Sequence, residues 1–111
     1  MAQTHARSGQ VVSVLPLGDR LGDVRTTAII KADQLELMRI VLLAGKGLRQ
    51  HRAPGEIIVQ CIEGRIEFET PEGRHVLEAG DLIHLRRNEP HALNAVVDSS
   101  ALVTLCIAKP S

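Results

Sequence analysis

Short apolar runs, each closed by a turn, follow one another along most of this 111-residue chain. Between positions 65 and 70 charged and apolar residues alternate, which predicts a strand with Ile66 and Phe68 facing inward. The sequence Pro71-Glu72-Gly73 predicts a hairpin turn directly after it. Further strands are predicted at 26–31, 35–43, 47–52, 56–62, 74–77, 82–85, 91–97 and 101–108. About eight to ten short strands with almost no helix imply an all-β sandwich or barrel.

The run at 35–43, LELMRIVLL, is the one ambiguous element. Its leucines and methionine would also suit a helix, but its short length and flanking turns favour a strand. Its apolar residues stand at both odd and even positions and so would lie on both faces of a strand. We therefore expect this strand to be covered on its outer face as well. Residues 17–25 predict a loop with a helical turn, and Asp98-Ser99-Ser100 predicts the last turn.

The length fits a single domain over residues 1–111, with a barrel over roughly residues 28–108. The polar residues 1–10 predict a flexible N-terminal tail. Residues at its start lack the apolar core of a signal peptide, and no apolar run approaches the ~20 residues that span a bilayer. These features predict a cytoplasmic protein without a membrane partner.

Charge and aromatic content exclude several classes of function. Acidic and basic residues number thirteen each, so no global field attracts nucleic acid. Phe68 is the only aromatic residue among Phe, Trp and Tyr, which argues against base stacking and removes tyrosine as a catalytic acid. Cys61 and Cys106 lie in apolar runs and predict buried, reduced thiols, with a disulfide between them unsupported.

Two stretches carry the most specific pattern: GKGLRQHRAPGEIIVQCIEG at 45–64 and GDLIHLRRNEPHALNA at 80–95. Their spacing resembles the two motifs of the cupin superfamily, G-x5-H-x-H-x3-E-x6-G and G-x5-P-x-G-x2-H-x3-N. The resemblance implies a double-stranded β-helix, or jelly-roll barrel, over nearly the whole chain. Asn88 stands at a glycine position of the second motif, where asparagine tolerates left-handed backbone.

The resemblance retains the spacing of a metal site without its full chemistry. Metal-binding cupins use two His and one Glu of the first motif with one His of the second. This chain keeps His51 and His91 at those positions, but Ala53 replaces the second His and Ile57 replaces the Glu. Neither replacement offers a lone pair, so the sequence predicts no cofactor.

A minority interpretation keeps a divalent metal at this site. His51 and His91 would then need a replacement ligand, for which the candidates are Cys61, His84 and Glu56. Glu56 would require a β-bulge near Pro54-Gly55 to swing it inward.

Strand alternation predicts the composition of the cavity. Ile57, Val59 and Cys61 share one face, and if His51 points into the barrel they line the same space. The predicted ligand-binding residues are therefore His51, Ile57, Val59, Cys61 and His91. Arg49 has the parity of His51 and is either a carboxylate clamp at the mouth or a solvated rim residue.

Three functions remain open. The first is a binding or sensing protein for an unknown small molecule, with a mainly aliphatic pocket and no assigned catalytic residue. The second is a metal-dependent oxygenase or isomerase, and the third is a dimeric structural module with a vestigial pocket. Ile58, Ile62 and one parity of residues 35–43 form an apolar outer surface, which predicts a two-fold homodimer.

Overall fold

The computed structural model describes residues 5–107 of the chain. A short 3-10 helix, Gly18–Asp23, precedes the first strand. Within the described part of the chain the strands are β1 (Thr27–Lys31), β2 (Leu35–Leu42), β3 (Gly47–His51), β4 (Ile57–Glu63), β5 (Arg65–Thr70), β6 (Gly73–Glu78), β7 (Leu82–Leu85), β8 (His91–Ala95) and β9 (Ser99–Cys106). No helix in this range is long and apolar enough to cross a bilayer.

The strands form two antiparallel sheets that enclose one core. One sheet has the order β1-β2-β9-β4-β7 and the other β3-β8-β5-β6. Alternation directs every second side chain between the sheets, so Ile66 and Phe68 are fully buried while Arg65 and Glu69 are exposed. The prediction of an all-β jelly roll is confirmed.

Most predicted strands agree with the observed ones within one or two residues. The ambiguous run at 35–43 forms β2, which pairs with β1 on one side and β9 on the other. Hydrogen bonds to these two strands satisfy the backbone N–H and C=O groups of β2. In a helix the same groups would have been satisfied within the segment. The predicted loop with a helical turn is also present at Gly18–Asp23.

The predicted turn at Asp98-Ser99-Ser100 is wrong, because Ser99 and Ser100 already belong to β9. Both serines are buried, yet their hydroxyl groups are satisfied. The Ser99 hydroxyl accepts from the backbone N–H of Arg65, and the Ser100 hydroxyl donates to the Glu63 carboxylate. Polar residues that read as a turn can continue a strand when such partners are available.

The outer face of β2 is covered by the chain's own N-terminal segment, as its two-sided apolar pattern predicted. Arg39 on β2 is only 7% exposed, and its Nη1 donates to the carbonyl oxygen of Leu15 at 3.0 Å. The carboxylate of Glu63 accepts from the N–H groups of Leu17 at 2.8 Å and Gly18 at 3.0 Å. These contacts hold the segment before the 3-10 helix against the five-stranded sheet.

The described part of the chain begins within the predicted N-terminal tail and ends just before the predicted end of the barrel. Of the predicted tail, residues 1–4 lie outside the described residues, whereas Ala6 N–H donates to the carbonyl oxygen of Ile29 on β1. Position 108, the predicted end of the barrel, also lies outside them.

Both cysteines are free thiols; Cys61 is buried as predicted, but Cys106 is exposed, because it ends β9 at the edge of the core.

Candidate functional site

Two histidines stand side by side on the inner face of the four-stranded sheet. His51 ends β3 and His91 begins β8, and the two residues are direct partners in the strand register. Their ring centroids are 4.2 Å apart at an interplanar angle of 61°. Behind them Phe68 stacks on His91 with centroids 5.6 Å apart, which fixes the orientation of that ring.

Backbone carbonyl groups select the tautomer of both rings. His51 Nδ1 lies 2.9 Å from the carbonyl oxygen of Arg49, and His91 Nδ1 lies 3.0 Å from that of Glu89. A carbonyl oxygen can only accept, so each Nδ1 carries the hydrogen. In its neutral form each imidazole therefore keeps an acceptor lone pair on Nε2.

The environment of His91 favours its neutral form. Burial lowers the pKa of His91, and the neighbouring His51 lowers it further, while the carbonyl of Glu89 opposes the shift. His91 is 3% exposed, yet no buried side-chain nitrogen or oxygen among the described residues lacks a hydrogen-bond partner. Since Nε2 of His91 has no protein partner, it must face accessible space inside the barrel.

That space is a cavity of about 410 Å³ between the two sheets. This volume lies in the usual range of small-molecule pockets. Apart from the two histidines and two polar residues at the mouth, its walls are aliphatic. The lining residues are Thr26, Met38, Ile40, Leu42, Leu48, His51, Arg52, Ala53, Pro54, Ile57, Val59, His91, Leu93, Val103 and Leu105.

Four of the five predicted site residues line this cavity, namely His51, Ile57, Val59 and His91. Cys61 does not. It shares the inner face of β4, but it lies two residues further along the strand, beyond the closed end of the cavity, where it is fully buried. Its Sγ donates to the carbonyl oxygen of Glu63 at 3.4 Å, and burial raises the pKa of the thiol. The alternation of side chains along β4 predicted which face Cys61 lies on, but not how far along the strand the cavity extends.

Of the two alternatives for Arg49, the solvated rim residue fits the structure, because β3 contains a bulge and Arg49 is not among the residues that line the cavity. Leu48 pairs with Leu93 and His51 with His91, so three steps along β3 match two along β8. The extra residue lets Leu48 and His51 both line the cavity, although all five residues of β3, Arg49 included, are exposed to solvent. Arg52 takes a place at the cavity mouth instead.

Sequence analysis also missed the opposite wall of the cavity. Met38, Ile40 and Leu42 from β2, with Val103 and Leu105 from β9, contribute apolar side chains to this wall. Alternation within each strand contains this signal, since these residues have a common parity. Which sheet they share with β4 follows only from the pairing of β9 between β2 and β4.

A metal held by three or four protein ligands does not fit these residues. The fold brings the four ligand positions of the family pattern to one cavity, but Ala53 and Ile57 contribute only hydrocarbon there. Among residues 5–107 no group of three or more His, Cys, Asp or Glu side chains is placed to hold a metal ion. His51 and His91 supply at most two ligands.

The proposed replacement ligands point away from the cavity. His84 Nε2 lies 2.7 Å from Glu56 Oε1, and both side chains are more than half exposed on the outside of the barrel. The bulge near Pro54-Gly55 that Glu56 would require to enter the cavity is therefore not found. Gly55 instead packs so closely on the carbonyl of Cys106 that a Cβ would lie 2.0 Å from its oxygen.

The loops that carry the two motifs are joined at the cavity mouth. Asn88 has φ of 61°, as predicted for a glycine position, and its N–H donates to the carbonyl oxygen of Ala53 at 2.7 Å. This hydrogen bond connects the β3–β4 loop with the β7–β8 loop. It therefore ties Ala53, the neighbour of Arg52, to the loop that leads into β8 and His91.

A second, larger depression of about 610 Å³ lies at the open seam between β6 and β7. Its walls include the exposed charged residues Glu72 and Arg86 and the half-buried Glu89. It includes neither histidine of the pair and none of the predicted site residues. We therefore place the candidate site in the smaller cavity, where apolar walls and convergent polar groups occur together.

Comparison with known proteins agrees with this fold and motif geometry. The family model described as a cupin domain matches residues 38–108. The chain therefore belongs to the cupin superfamily. A search of curated proteins gives no match.

Solved structures share the fold at low sequence identity. A cupin superfamily protein from Desulfitobacterium hafniense is 12% identical with a TM-score of 0.74, over 89% of this chain and 100% of that one. A conserved protein of unknown function from Streptococcus pyogenes is 20% identical with a TM-score of 0.75, over 99% and 100%. An RmlC-like cupin from Desulfovibrio desulfuricans is 22% identical with a TM-score of 0.73, over 87% and 96%. These similarities establish the fold alone.

Proposed function

We propose that this cupin binds or senses a small molecule in its barrel cavity, without a tightly bound metal. The observation that carries the proposal is the composition of the cavity, in which aliphatic walls surround one pair of oriented histidines. Apolar walls supply affinity through burial, and a few placed polar groups supply orientation. The replacement of two family ligand positions by Ala53 and Ile57 removes donors and enlarges the apolar surface.

The metal-dependent enzyme is the second candidate, and one observation favours it. The rings of His51 and His91 are neighbours with centroids 4.2 Å apart, and Nδ1 of each ring faces a backbone carbonyl, which leaves Nε2 of each as a potential ligand of one metal. Against it stand the hydrocarbon at the other two ligand positions and the outward direction of His84 and Glu56. The third candidate, a structural module, requires that the cavity bind nothing.

Elemental analysis of protein purified without chelator separates the first two candidates. We expect metal well below one ion per chain, and no restoration when divalent ions are added. Protein concentration must come from amino-acid analysis, because the chain contains no Trp or Tyr. Near one iron, zinc, manganese or nickel per chain would overturn the proposal in favour of the enzyme.

A double substitution separates the binding protein from the structural module. His51→Ala with His91→Ala should weaken ligand binding in the cavity under the proposal and should remove metal under the enzyme alternative. His75→Ala is the matched control, because His75 is exposed on β6 and far from the pair in the strand order. If ligand response, metal content and stability are all unchanged in the double variant, only the structural module remains.

We also propose that the chain forms a homodimer through the outer face of its five-stranded sheet. Leu35 and Ile58 are 42% and 41% exposed there, and they border a shallow apolar groove with Thr104 and Leu105. The covering N-terminal segment limits this surface to the part of the sheet away from Arg39. Exposed apolar groups clustered on one sheet are typical of an interface between subunits.

A further inference from the structure

Resting on the proposed binding function, we infer that the ligand of the cavity is an apolar molecule that carries a hydrogen-bond-donating hydroxyl group, an alcohol or a phenol. The inference comes from the direction of the polar groups inside the cavity. Both imidazoles donate through Nδ1 to backbone carbonyls, so both present Nε2 as an acceptor. A ligand group that meets two neighbouring acceptors must itself supply a hydrogen.

The rest of the cavity offers no competing polar contact at that depth. The walls from β2, β4 and β9 are hydrocarbon or thioether, and the remaining polar side chains, Thr26 and Arg52, are at the mouth. A buried acceptor without a donor is costly, because it loses its water and gains no partner. An apolar ligand without a donor would leave the Nε2 of the buried His91 in that state, whereas the hydrogen of one hydroxyl group would satisfy it. His51 is exposed, so its Nε2 can keep a water partner.

The same geometry disfavours a carboxylate ligand at neutral pH. An ionised carboxylate only accepts, so it would place its oxygens against two acceptor nitrogens. Protonation of one imidazole reverses this, because Nε2 then becomes a donor. The charged groups that face the pair are Arg52 at the cavity mouth and Glu89 before β8, and the two imidazoles face each other.

The direct test compares three probes of similar shape: p-cresol, 4-fluorotoluene and 4-methylbenzoate. Fluorine is close to a hydroxyl group in size but cannot donate. At pH 8 we expect p-cresol to bind about tenfold or more tightly than 4-fluorotoluene, from the loss of one satisfied buried acceptor. Because the chain lacks Trp and Tyr, absorbance and fluorescence of p-cresol are measured against almost no protein background.

The dependence on pH gives a second, independent sign. As pH falls far enough to protonate His91, whose pKa is lowered by burial, p-cresol should bind more weakly and 4-methylbenzoate more tightly. Methyl NMR shifts at Ile57, Val103 and Leu105 locate each probe, since all three side chains line the cavity. A shift confined to other methyl groups would place the probe outside the cavity and overturn the inference.

A paired substitution removes the acceptors while keeping the walls apolar. His51→Phe with His91→Phe should abolish the preference for p-cresol over 4-fluorotoluene, whereas His75→Phe should retain it. Should the double variant fail to fold, the comparison of probes on the native protein still decides the matter.

The outcomes distinguish this inference from the proposed function. If 4-fluorotoluene binds in the cavity as tightly as p-cresol, the binding function stands and the hydroxyl inference falls. If none of the three probes binds in the cavity at millimolar concentration, both fall together.

Discussion

At the scale of single residues, the determining feature is which hydrogen-bond partner each polar side chain finds. His51 and His91 find backbone carbonyls for Nδ1, and this fixes what they can offer a ligand. Glu63 finds three donors, from Leu17, Gly18 and Ser100. The histidines find their partners two residues away along the backbone. Glu63 finds its partners in segments that are distant in sequence.

Glu63 should contribute measurably to stability, because one carboxylate satisfies backbone groups of the N-terminal segment. In Glu63→Gln the amide nitrogen cannot accept, so we expect a loss of about 1–2 kcal/mol in the free energy of unfolding. Urea denaturation followed by far-UV circular dichroism measures it. Glu67→Gln on β5 is the control, since the Glu67 side chain forms no hydrogen bond or ion pair with any of residues 5–107.

The contribution of Glu63 should also depend on pH in a defined direction. Burial alone would raise the pKa of the Glu63 carboxyl, but the hydrogen bonds from Leu17, Ser100 and Gly18, with the nearby Arg39 charge, lower it. A lowered folded-state pKa means stability that is present above the unfolded value near ~4.3 and lost as pH falls through the folded value. The difference between native protein and Glu63→Gln should therefore shrink below about pH 4. A difference that grows on acidification would contradict this assignment.

At the scale of elements, the irregular positions of the strands decide which side chains meet. The bulge in β3 turns both Leu48 and His51 inward, and Gly64 allows β4 to pass directly into β5. Gly64 has φ of 88° and lies against the start of β9, where a Cβ would be 2.2 Å from Ser99 Oγ. Gly45 has nearly the same φ, 83°, but no atom within 4 Å of an added Cβ.

Alanine substitutions at these two glycines distinguish the cost of backbone strain from the cost of steric overlap. Gly45→Ala should cost about 1–2 kcal/mol in unfolding free energy, because it adds only left-handed strain. Gly64→Ala adds overlap with β9 and should cost about 2–5 kcal/mol. Thermal and urea unfolding by circular dichroism measure both. Equal losses for the two variants would show that β9 moves aside without penalty.

At the scale of the whole molecule, the described strands enclose the cavity between the two sheets and leave an exterior face of the five-stranded sheet partly apolar. The N-terminal segment covers the part of that face around Arg39, where Arg39 donates to the Leu15 carbonyl and the Glu63 carboxylate accepts from the Leu17 N–H. The part around Leu35 and Ile58 remains exposed. This exposed part of the face is where we propose that a second copy of the chain packs.

The proposed dimer predicts a specific effect of charge on this face. Ile58→Glu should convert the protein to a monomer, because a buried unpaired carboxylate at the interface is strongly unfavourable. Val76→Glu is the control, since Val76 is 50% exposed but lies on β6 of the other sheet. Light scattering across a range of concentrations gives the mass of each variant. Dissociation by Val76→Glu alone would place the interface on the opposite sheet.

The sequence by itself determined the all-β fold, most strand positions and the family, because alternation, turns and motif spacing are local properties of the chain. It also identified His51, Ile57, Val59 and His91 as residues of one cavity. Tertiary structure decided the rest. Whether Arg49 or Leu48 faces inward depends on a bulge, and where the cavity ends before Cys61 depends on packing between strands distant in sequence. The tautomers of the two histidines depend on backbone carbonyls whose directions are fixed only when β3 and β8 pair.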